Sequence, residues 1–176
     1  MAYALSILGL VSMIVSSLLK GKNMKKILVF VFLGNALVAT SYLLDGKFPG
    51  AVSCFIGAAQ AIINSFYDAK GKKLPVWLIA VYALAFIAAN LWVYAAWQDA
   101  IALIASLTFI MCVGQKTGAK YRIWTIINMV LWCTYDVLAG AYGGLITHVS
   151  LLVFTAVGML LHDRKENLEM EKGKTV

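Results

Sequence analysis

The sequence predicts an all-α membrane protein with seven transmembrane helices, in which two parallel three-helix repeats are joined by a linker helix (3+1+3). Three observations predict this fold class. Of the 176 residues, 62% are hydrophobic and 13% are charged, whereas a water-soluble domain carries roughly 25% charged residues. Seven apolar segments occupy most of the chain, and a spanning helix needs roughly 17 to 25 residues. The first three segments also resemble the last three.

The elements follow from the apolar runs. The first run has no basic stretch before it, and its first lysine, Lys20, comes after it. We therefore expect a retained helix here and not a cleaved signal peptide. The predicted spans are 3–19, 27–45, 51–67, 75–94, 99–115, 121–140 and 144–161.

These spans predict a single membrane domain over residues 1–162. Repeat one covers 3–67, the linker helix covers 75–94, and repeat two covers 99–161. Residues 163–176 mix acidic and basic side chains, which predicts a solvated cytoplasmic tail. No stretch of ordinary soluble-domain size is left over.

Basic residues predict the orientation. With the N-terminus outside, every lysine and arginine except Lys47 falls on the inner side. Basic loops stay on the cytoplasmic side, so we expect the C-terminus there too. Because the net charge of +7 lies in these short loops, it does not indicate nucleic-acid binding. The inner connections carry Lys20, Lys22, Lys25 and Lys26; Lys70, Lys72 and Lys73; Lys116, Lys120 and Arg122; and Arg164, Lys165, Lys172 and Lys174.

Polar, glycine and tyrosine residues repeat in one register. At an offset of 93 residues, Asn35 falls on Asn128 and Tyr42 falls on Tyr135. Three crossings in each unit and one linker between them make the two units parallel, related by an axis along the membrane normal. Further matches at this offset are Gly21 with Gly114, Ser41 with Thr134, and Gly50 with Gly143.

Polar residues at membrane depth form the candidate site, because an unpaired polar group costs several kcal/mol in hydrocarbon. Asn35 and Asn128 lie near the expected bilayer centre, where parallel repeats would bring them opposite each other. Their amides suit a neutral polar solute, and aromatic rings can stack on a sugar or base. Alternatively, each asparagine binds a backbone carbonyl and holds helices together. The predicted substrate-binding residues are Asn35, Tyr42, Gln60, Asn128, Trp132 and Tyr135.

Asp136 and His148 are the candidate proton-coupling residues. Histidine titrates near neutral pH, so a lone histidine within a span can couple transport to protons. The alternatives are that His148 is a neutral packing residue and that Asp136 lies at a hydrated helix end.

The sequence indicates neither an enzyme nor a cofactor site. Cys54, Cys112 and Cys133 are scattered without metal-ligand spacing. No serine or cysteine has a histidine base beside it, and no phosphate-binding glycine loop occurs. We therefore expect no catalytic residue, no metal and no cofactor; the expected partners are the lipid bilayer and a small polar solute.

The segment from Trp132 to Gly144, WCTYDVLAGAYGG, resembles the YgjV-type family of bacterial inner membrane proteins. That family shows a tryptophan, then a histidine or tyrosine followed by a polar residue, then a glycine and a Gly-Gly turn. The stretch from Tyr42 to Pro49 looks like the corresponding turn of repeat one. The resemblance implies a bacterial inner membrane location more than an activity.

The 3+1+3 plan is also similar to that of the SWEET sugar transporters and the PnuC vitamin transporters. In SWEET-type proteins, asparagine and tryptophan from both repeats bind sugar, and Asn35, Asn128 and Trp132 match in residue type. The chain departs from that pattern in proline, since Pro49 and Pro75 both lie at span ends and cannot act as hinges within helices.

The leading hypothesis is a small transporter or facilitator of a neutral or weakly polar metabolite, such as a sugar, nucleoside or vitamin. It would work by alternating access between the two repeats. The second hypothesis is a structural or regulatory membrane subunit that transports nothing and binds a partner helix or lipid. A membrane enzyme is the third.

Overall fold

The structure, a computed structural model, describes residues 1–21, 24–44 and 48–163. Within these residues it contains seven α-helices, which confirms the predicted all-helical class and helix count. A short π-helix, called here the π-turn, extends the last helix from Met159 to Asp163. The helices are α1 (Ala2–Leu18), α2 (Met24–Leu44), α3 (Phe48–Ala69), α4 (Val76–Trp92), α5 (Asp99–Val113), α6 (Gly118–Ala139) and α7 (Tyr142–Gly158).

Local residues explain several helix ends. The Thr117 side chain accepts a hydrogen bond from the Lys120 backbone N–H and so caps the start of α6. Gly140 ends α6 with a φ of 67°, a left-handed conformation that glycine adopts without a Cβ clash. Pro75 precedes α4, where its missing N–H costs no helical hydrogen bond.

Two helices are central to the packing. Helix α2 packs against α1 and α3, and α6 packs against α5 and α7. The α1–α2 contact is close at Gly9 and Gly34, where a Cβ on either glycine would come within 3.1 Å of the other's carbonyl oxygen. Small residues allow this approach in a membrane protein, where dispersion contacts and not hydrophobic burial hold helices together. We call α1–α3 the N-terminal trio and α5–α7 the C-terminal trio.

Among the described residues, the trios contact each other most extensively where α1 packs against α7 and α3 packs against α5. Helix α4 packs against α3 and α5. A buried apolar cluster also joins the trios, with Ile27, Leu28 and Val31 of α2 packed near Val113 and Tyr121. This cluster lies toward the start of α2 and the end of α5, so the large apolar core is at that end of the bundle.

Within the described ranges, three helical stretches are long and apolar enough to cross a membrane: Met24–Leu44, Gly50–Ala69 and Gly144–Asp163. Three further apolar helices are shorter, namely Ala2–Leu18, Val76–Trp92 and Asp99–Val113. Helix α6 has 22 residues but carries Lys120, Arg122 and Asp136.

Some predictions concern residues outside the described part of the chain. They are Lys22, the turn residues Asp45, Gly46 and Lys47, and the tail from residue 164 to 176. Asp163 itself is described, and its placement corrects the prediction of a solvated residue. It ends the π-turn and is buried.

Candidate functional site

Arg122, near the start of α6, is fully buried and holds three chain segments together. Its Nη1 donates to Asp163 Oδ1 at 2.5 Å, and its Nε donates to the Ser17 carbonyl at 3.0 Å. Its Nη2 donates to the Leu19 carbonyl. The guanidinium offers a rigid fork of donors that suits several acceptors at once. This set, called here the Arg122 latch, ties the end of α1 to α6 and to the π-turn.

The latch was not predicted from the sequence. Arg122 was assigned to a cytoplasmic connection and Asp163 to a solvated tail, whereas their side chains are 0% and 8% exposed. The two residues are 41 positions apart, so no short motif connects them. The available signal was that each is a charged residue at the edge of an apolar run, where a buried charge requires a partner.

Further hydrogen bonds join α1 to the C-terminal trio beside the latch. Thr155 Oγ1 donates to Ser17 Oγ at 3.0 Å, and His162 Nε2 lies 2.8 Å from the Leu18 carbonyl oxygen. The bond between Thr155 and Ser17 joins the last turn of α7 to the last turn of α1. The π-turn places His162 against the end of α1 and the next residue, Asp163, against Arg122 of α6.

The α3–α5 interface is bonded at the same end. Asn64 Nδ2 donates to the Val113 carbonyl at 3.0 Å, and Tyr82 of α4 donates to Asn64 Oδ1 at 3.2 Å. Lys116 Nζ donates to the Lys72 carbonyl at 2.7 Å and lies 3.5 Å from Asp68.

The hydrogen bonds between the two trios thus lie at one end among the described residues. This end contains the C-termini of α1, α3, α5 and α7 and the N-terminus of α6, and it carries the basic connections. A backbone bond adds to it, from the Gly118 N–H to the Gly21 carbonyl. We call it the basic end.

The opposite end contains four of the predicted site residues, called here the aromatic–acid cluster: Trp132, Tyr135, Asp136 and His148. His148 Nδ1 and Asp136 Oδ2 are 2.6 Å apart. The indole of Trp132 stacks on the His148 ring, with centroids 5.4 Å apart, and meets the Tyr135 ring edge-on at 5.8 Å. The Tyr135 hydroxyl also lies near the Asp99 carboxylate at the start of α5.

Tyr42 lies on the other trio near this cluster. It is on α2, within electrostatic range of Asp136 on α6. Asp136 is buried and paired with His148, so the placement at a hydrated helix end does not describe it. A role of either residue in proton coupling stays a prediction.

Asn35 and Asn128 are buried but do not bond to each other. Asn35 Nδ2 donates to the Val31 carbonyl of its own helix at 3.0 Å, while Asn128 Nδ2 donates to the Ala105 carbonyl of α5 at 2.6 Å. The Asn128 bond is the kind expected in the alternative interpretation, because it joins α6 to α5, whereas the Asn35 bond stays within α2 and joins no helices. Solute binding by these residues stays a prediction.

Gln60, near the middle of α3, differs from both asparagines. It is 0% exposed, and neither its Nε2 nor its Oε1 has a hydrogen-bond partner in the described structure.

Two surface depressions of the described structure lie away from the predicted substrate-binding residues, which line neither of them. One, of about 510 Å³, is an apolar groove between α6 and α7; the other, of about 220 Å³, lies beside Lys70 and Lys72. The α6–α7 groove is lined by Val130, Cys133, Thr134, Val137, Leu138, Val149 and Leu152.

Within the described ranges, no three histidine, cysteine, aspartate or glutamate residues are grouped as metal ligands would be.

Replacing Gly144 with alanine should disturb the aromatic–acid cluster. A Cβ at residue 144 would lie 2.8 Å from Asp136 Oδ1, so the carboxylate or the α7 backbone must shift, which disturbs the contact between Asp136 and His148. We expect a loss of about 1–3 kcal/mol in the free energy of unfolding, as for other overpacked sites. The measurement is unfolding in detergent, with Ile146→Ala as the control, because Ile146 lies on the same helix and is 69% exposed. Equal stability of the two variants would contradict the close packing at Gly144.

Comparison with known proteins gives one family match. The family model named Imp-YgjV, whose description is bacterial inner membrane protein, matches residues 3–166 of the chain. No curated protein and no solved structure is significantly similar to the chain.

Proposed function

The chain belongs to the Imp-YgjV family of bacterial inner membrane proteins, and from this premise we propose that it transports a neutral or weakly polar metabolite by alternating access between its two helix trios. The proposal includes multiple membrane crossings, with the N-terminus outside and the basic end in the cytoplasm. The positive-inside rule supports that orientation.

Helix positions and contacts support parallel repeats. Helices α2 and α6 start at Met24 and Gly118, and α3 and α7 start at Phe48 and Tyr142, so each pair is 94 residues apart. If the trios are equivalent repeats, α1 corresponds to α5 and α3 corresponds to α7. The contact of α1 with α7 then corresponds to the contact of α5 with α3, and both contacts are present. A pseudo-two-fold axis between the trios requires this correspondence.

Glycine contacts support the same register. A Cβ on Gly50 would lie 3.0 Å from the Tyr42 ring, and a Cβ on Gly144 would lie 2.8 Å from Asp136. Gly144 follows Gly50 by 94 residues, and Asp136 follows Tyr42 by the same number. In this register Asn128 corresponds to Gly34 and not to Asn35. The contacts of these two residues are equivalent: Gly34 packs on α1, Asn128 binds α5, and α1 and α5 are the corresponding helices of the two repeats.

The observation that carries the transport proposal is the unequal bonding of the two ends. At the basic end the trios are joined by the Arg122 latch, by Ser17 with Thr155, and by Asn64 with Val113. At the other end Ala39, Ser41 and Ala51 are small buried residues, and the buried Asp136 pairs with His148 of its own trio. A transporter closed on one side has this asymmetry, because it opens by separating one end while the other stays packed.

In the proposed cycle the solute enters at the end that carries the aromatic–acid cluster. It then reaches a site between the trios near Asn35, Tyr42, Asn128, Trp132 and Tyr135. Breaking the contacts at the basic end releases it into the cytoplasm. Asp136 and His148 are the residues through which protons would drive the cycle.

A disulfide across the basic end tests this cycle. Ser17 and Thr155 face each other with their hydroxyl oxygens 3.0 Å apart, so Ser17→Cys with Thr155→Cys should form a disulfide that joins α1 to α7. We expect oxidation to slow uptake of the transported solute into proteoliposomes by about tenfold or more, because the basic end can no longer separate. Reduction should restore the rate.

The control pair is Ser6→Cys with Ser41→Cys. These hydroxyl oxygens are 2.7 Å apart, but both residues lie in the N-terminal trio. A disulfide there should leave uptake unchanged. Both pairs are made after replacing the free cysteines Cys54, Cys112 and Cys133. Undiminished uptake with the Ser17–Thr155 position cross-linked would contradict alternating access at this end.

A second candidate function is a structural or regulatory membrane subunit. The apolar α6–α7 groove favours it, because such a surface fits a lipid chain or a partner helix. The asparagine-to-backbone hydrogen bonds are compatible with it as well. Co-purification of a partner that is lost in a Val149→Asn variant, together with no uptake of any solute tested, would favour this function over transport.

A further inference from the structure

We propose that Gln60 is the hydrogen-bonding residue that recognises the solute, and that the solute is uncharged with a donor and an acceptor side by side. The inference rests on the proposed transport function and adds to it the position and chemical class of the site. It places recognition on α3 where this helix faces α2 and α5.

The first argument is the hydrogen bonding of Gln60 itself. The side chain is completely buried, yet its amide nitrogen and oxygen both lack partners in the described structure. A carboxamide offers two donors and an oxygen acceptor, and leaving them unpaired in a bundle core is unfavourable. An apolar side chain of the same size would suit this packing better, so packing does not explain a glutamine here.

A neighbouring amide gives a direct comparison. Asn64 lies one turn along α3 and is also buried. Its nitrogen binds the Val113 carbonyl, and its oxygen accepts from Tyr82. Where an amide of α3 holds helices together, its nitrogen and its oxygen thus both have a partner, whereas neither atom of the Gln60 amide has one in the described structure.

The surroundings of Gln60 indicate the class of that partner. Gly57 and Gln60 lie three residues apart and so share one face of α3. A Cβ on Gly57 would lie 3.2 Å from Asn35 Oδ1 and 3.2 Å from the Phe109 ring. The Gly57–Asn64 stretch has no ionisable residue, so nothing there compensates a charged ligand. Amide groups beside an aromatic ring fit a neutral polar molecule.

The position of Gln60 fits a site that is closed in this conformation. The residue lies near the middle of α3, at the interface of the two trios, where separation of α3 from α5 would expose it. At Gly57, on the same face, Asn35 and Phe109 pack so closely that even a Cβ would be crowded, so room for a ligand atom would arise only when these helices separate.

The test compares Gln60→Leu and Gln60→Met with the wild type and with Asn64→Leu. Without solute, we expect both Gln60 variants to melt about 2–4 °C higher than the wild type in detergent, because an unpaired buried amide is removed. Asn64→Leu should melt lower, because it leaves the Tyr82 hydroxyl and the Val113 carbonyl unpaired. A purely structural glutamine would behave like Asn64.

The second readout is binding, measured as the shift in melting temperature on adding glucose, uridine or nicotinamide. Each probe is paired with a charged relative: gluconate, uridine monophosphate and nicotinate. We expect at least one neutral probe to stabilise the wild type, its charged relative to have no effect, and both Gln60 variants to bind that probe at least tenfold more weakly.

Three results would overturn the inference. They are lower melting temperatures for both Gln60 variants, undiminished binding of the neutral probe by them, or a wild type that binds a charged relative and not its neutral partner. Uptake into proteoliposomes separates this inference from the transport proposal. If a neutral probe binds through Gln60 but is not taken up, the site stands and transport fails. If uptake of the probe is equal in the wild type and the Gln60 variants, transport stands and the site fails.

Discussion

Asp163→Ala should lower the free energy of unfolding by about 3–5 kcal/mol, because it leaves the buried Arg122 guanidinium without a counter-charge. Arg122 is fully buried, and its remaining acceptors are the carbonyls of Ser17 and Leu19. Those dipoles stabilise the cation only in part. The latch also joins α1, α6 and the π-turn, so we expect the loss to affect packing between the trios. The measurement is thermal or chemical unfolding in detergent.

The control for this prediction is Asp68→Ala. Asp68 also faces a cation, Lys116, but at 3.5 Å and with its side chain 20% exposed. Pairs of this kind contribute about 1 kcal/mol or less. A third variant replaces both latch residues, Arg122→Met with Asp163→Leu, and should recover most of the stability because no unpaired charge remains. If Asp163→Ala were no less stable than Asp68→Ala, the buried pair would not hold the basic end together.

Gly118→Ala should also be strongly destabilising, by about 3 kcal/mol, the upper end for overpacked sites. A Cβ on Gly118 would overlap the Cα and backbone of Gly21. A side chain could rotate away, but a backbone cannot, so the turn after α1 must separate from the start of α6. The Gly118 N–H would then lose the Gly21 carbonyl, which it contacts at 3.3 Å.

The matching control is Ala139→Val, a small-to-large change at an exposed residue of the same helix. It should leave the melting temperature within about 1–2 °C of the wild type, as surface changes usually do. Unfolding of Gly118→Ala at the wild-type temperature would show that the two connections are not packed as closely as the structure places them.

The helices could be predicted because their signals are local. The predicted span 27–45 corresponds to α2 at Met24–Leu44, and the predicted span 99–115 corresponds to α5 at Asp99–Val113. A run of apolar residues forms a helix in lipid whatever its neighbours are, since each backbone group must bond within its own segment. The differences at helix ends come from turn residues, as at Gly140, which ends α6 by its left-handed conformation.

The candidate site was predicted less completely. The sequence placed Trp132, Tyr135 and Asp136 on one stretch of helix, and the structure adds His148 to them through α7. The sequence did not indicate that Asn35 and Asn128 bind different helices. A match at an offset of 93 residues compares residue types and carries no information about which helices the side chains contact. The helix starts differ by 94 residues, and a shift of one residue rotates a helix face by about 100°.

Residue order is enough to predict apolar helices with basic residues collected in alternate connections. Hydropathy and charge act on each segment separately, so neither needs knowledge of the fold. The partners of the polar groups, in contrast, depend on how the helices pack. Arg122 binds a carbonyl 105 residues away, and Gln60 has no partner in the described residues. A hydrogen bond depends on which helices touch and on their rotation, and that depends on the packing of all seven together.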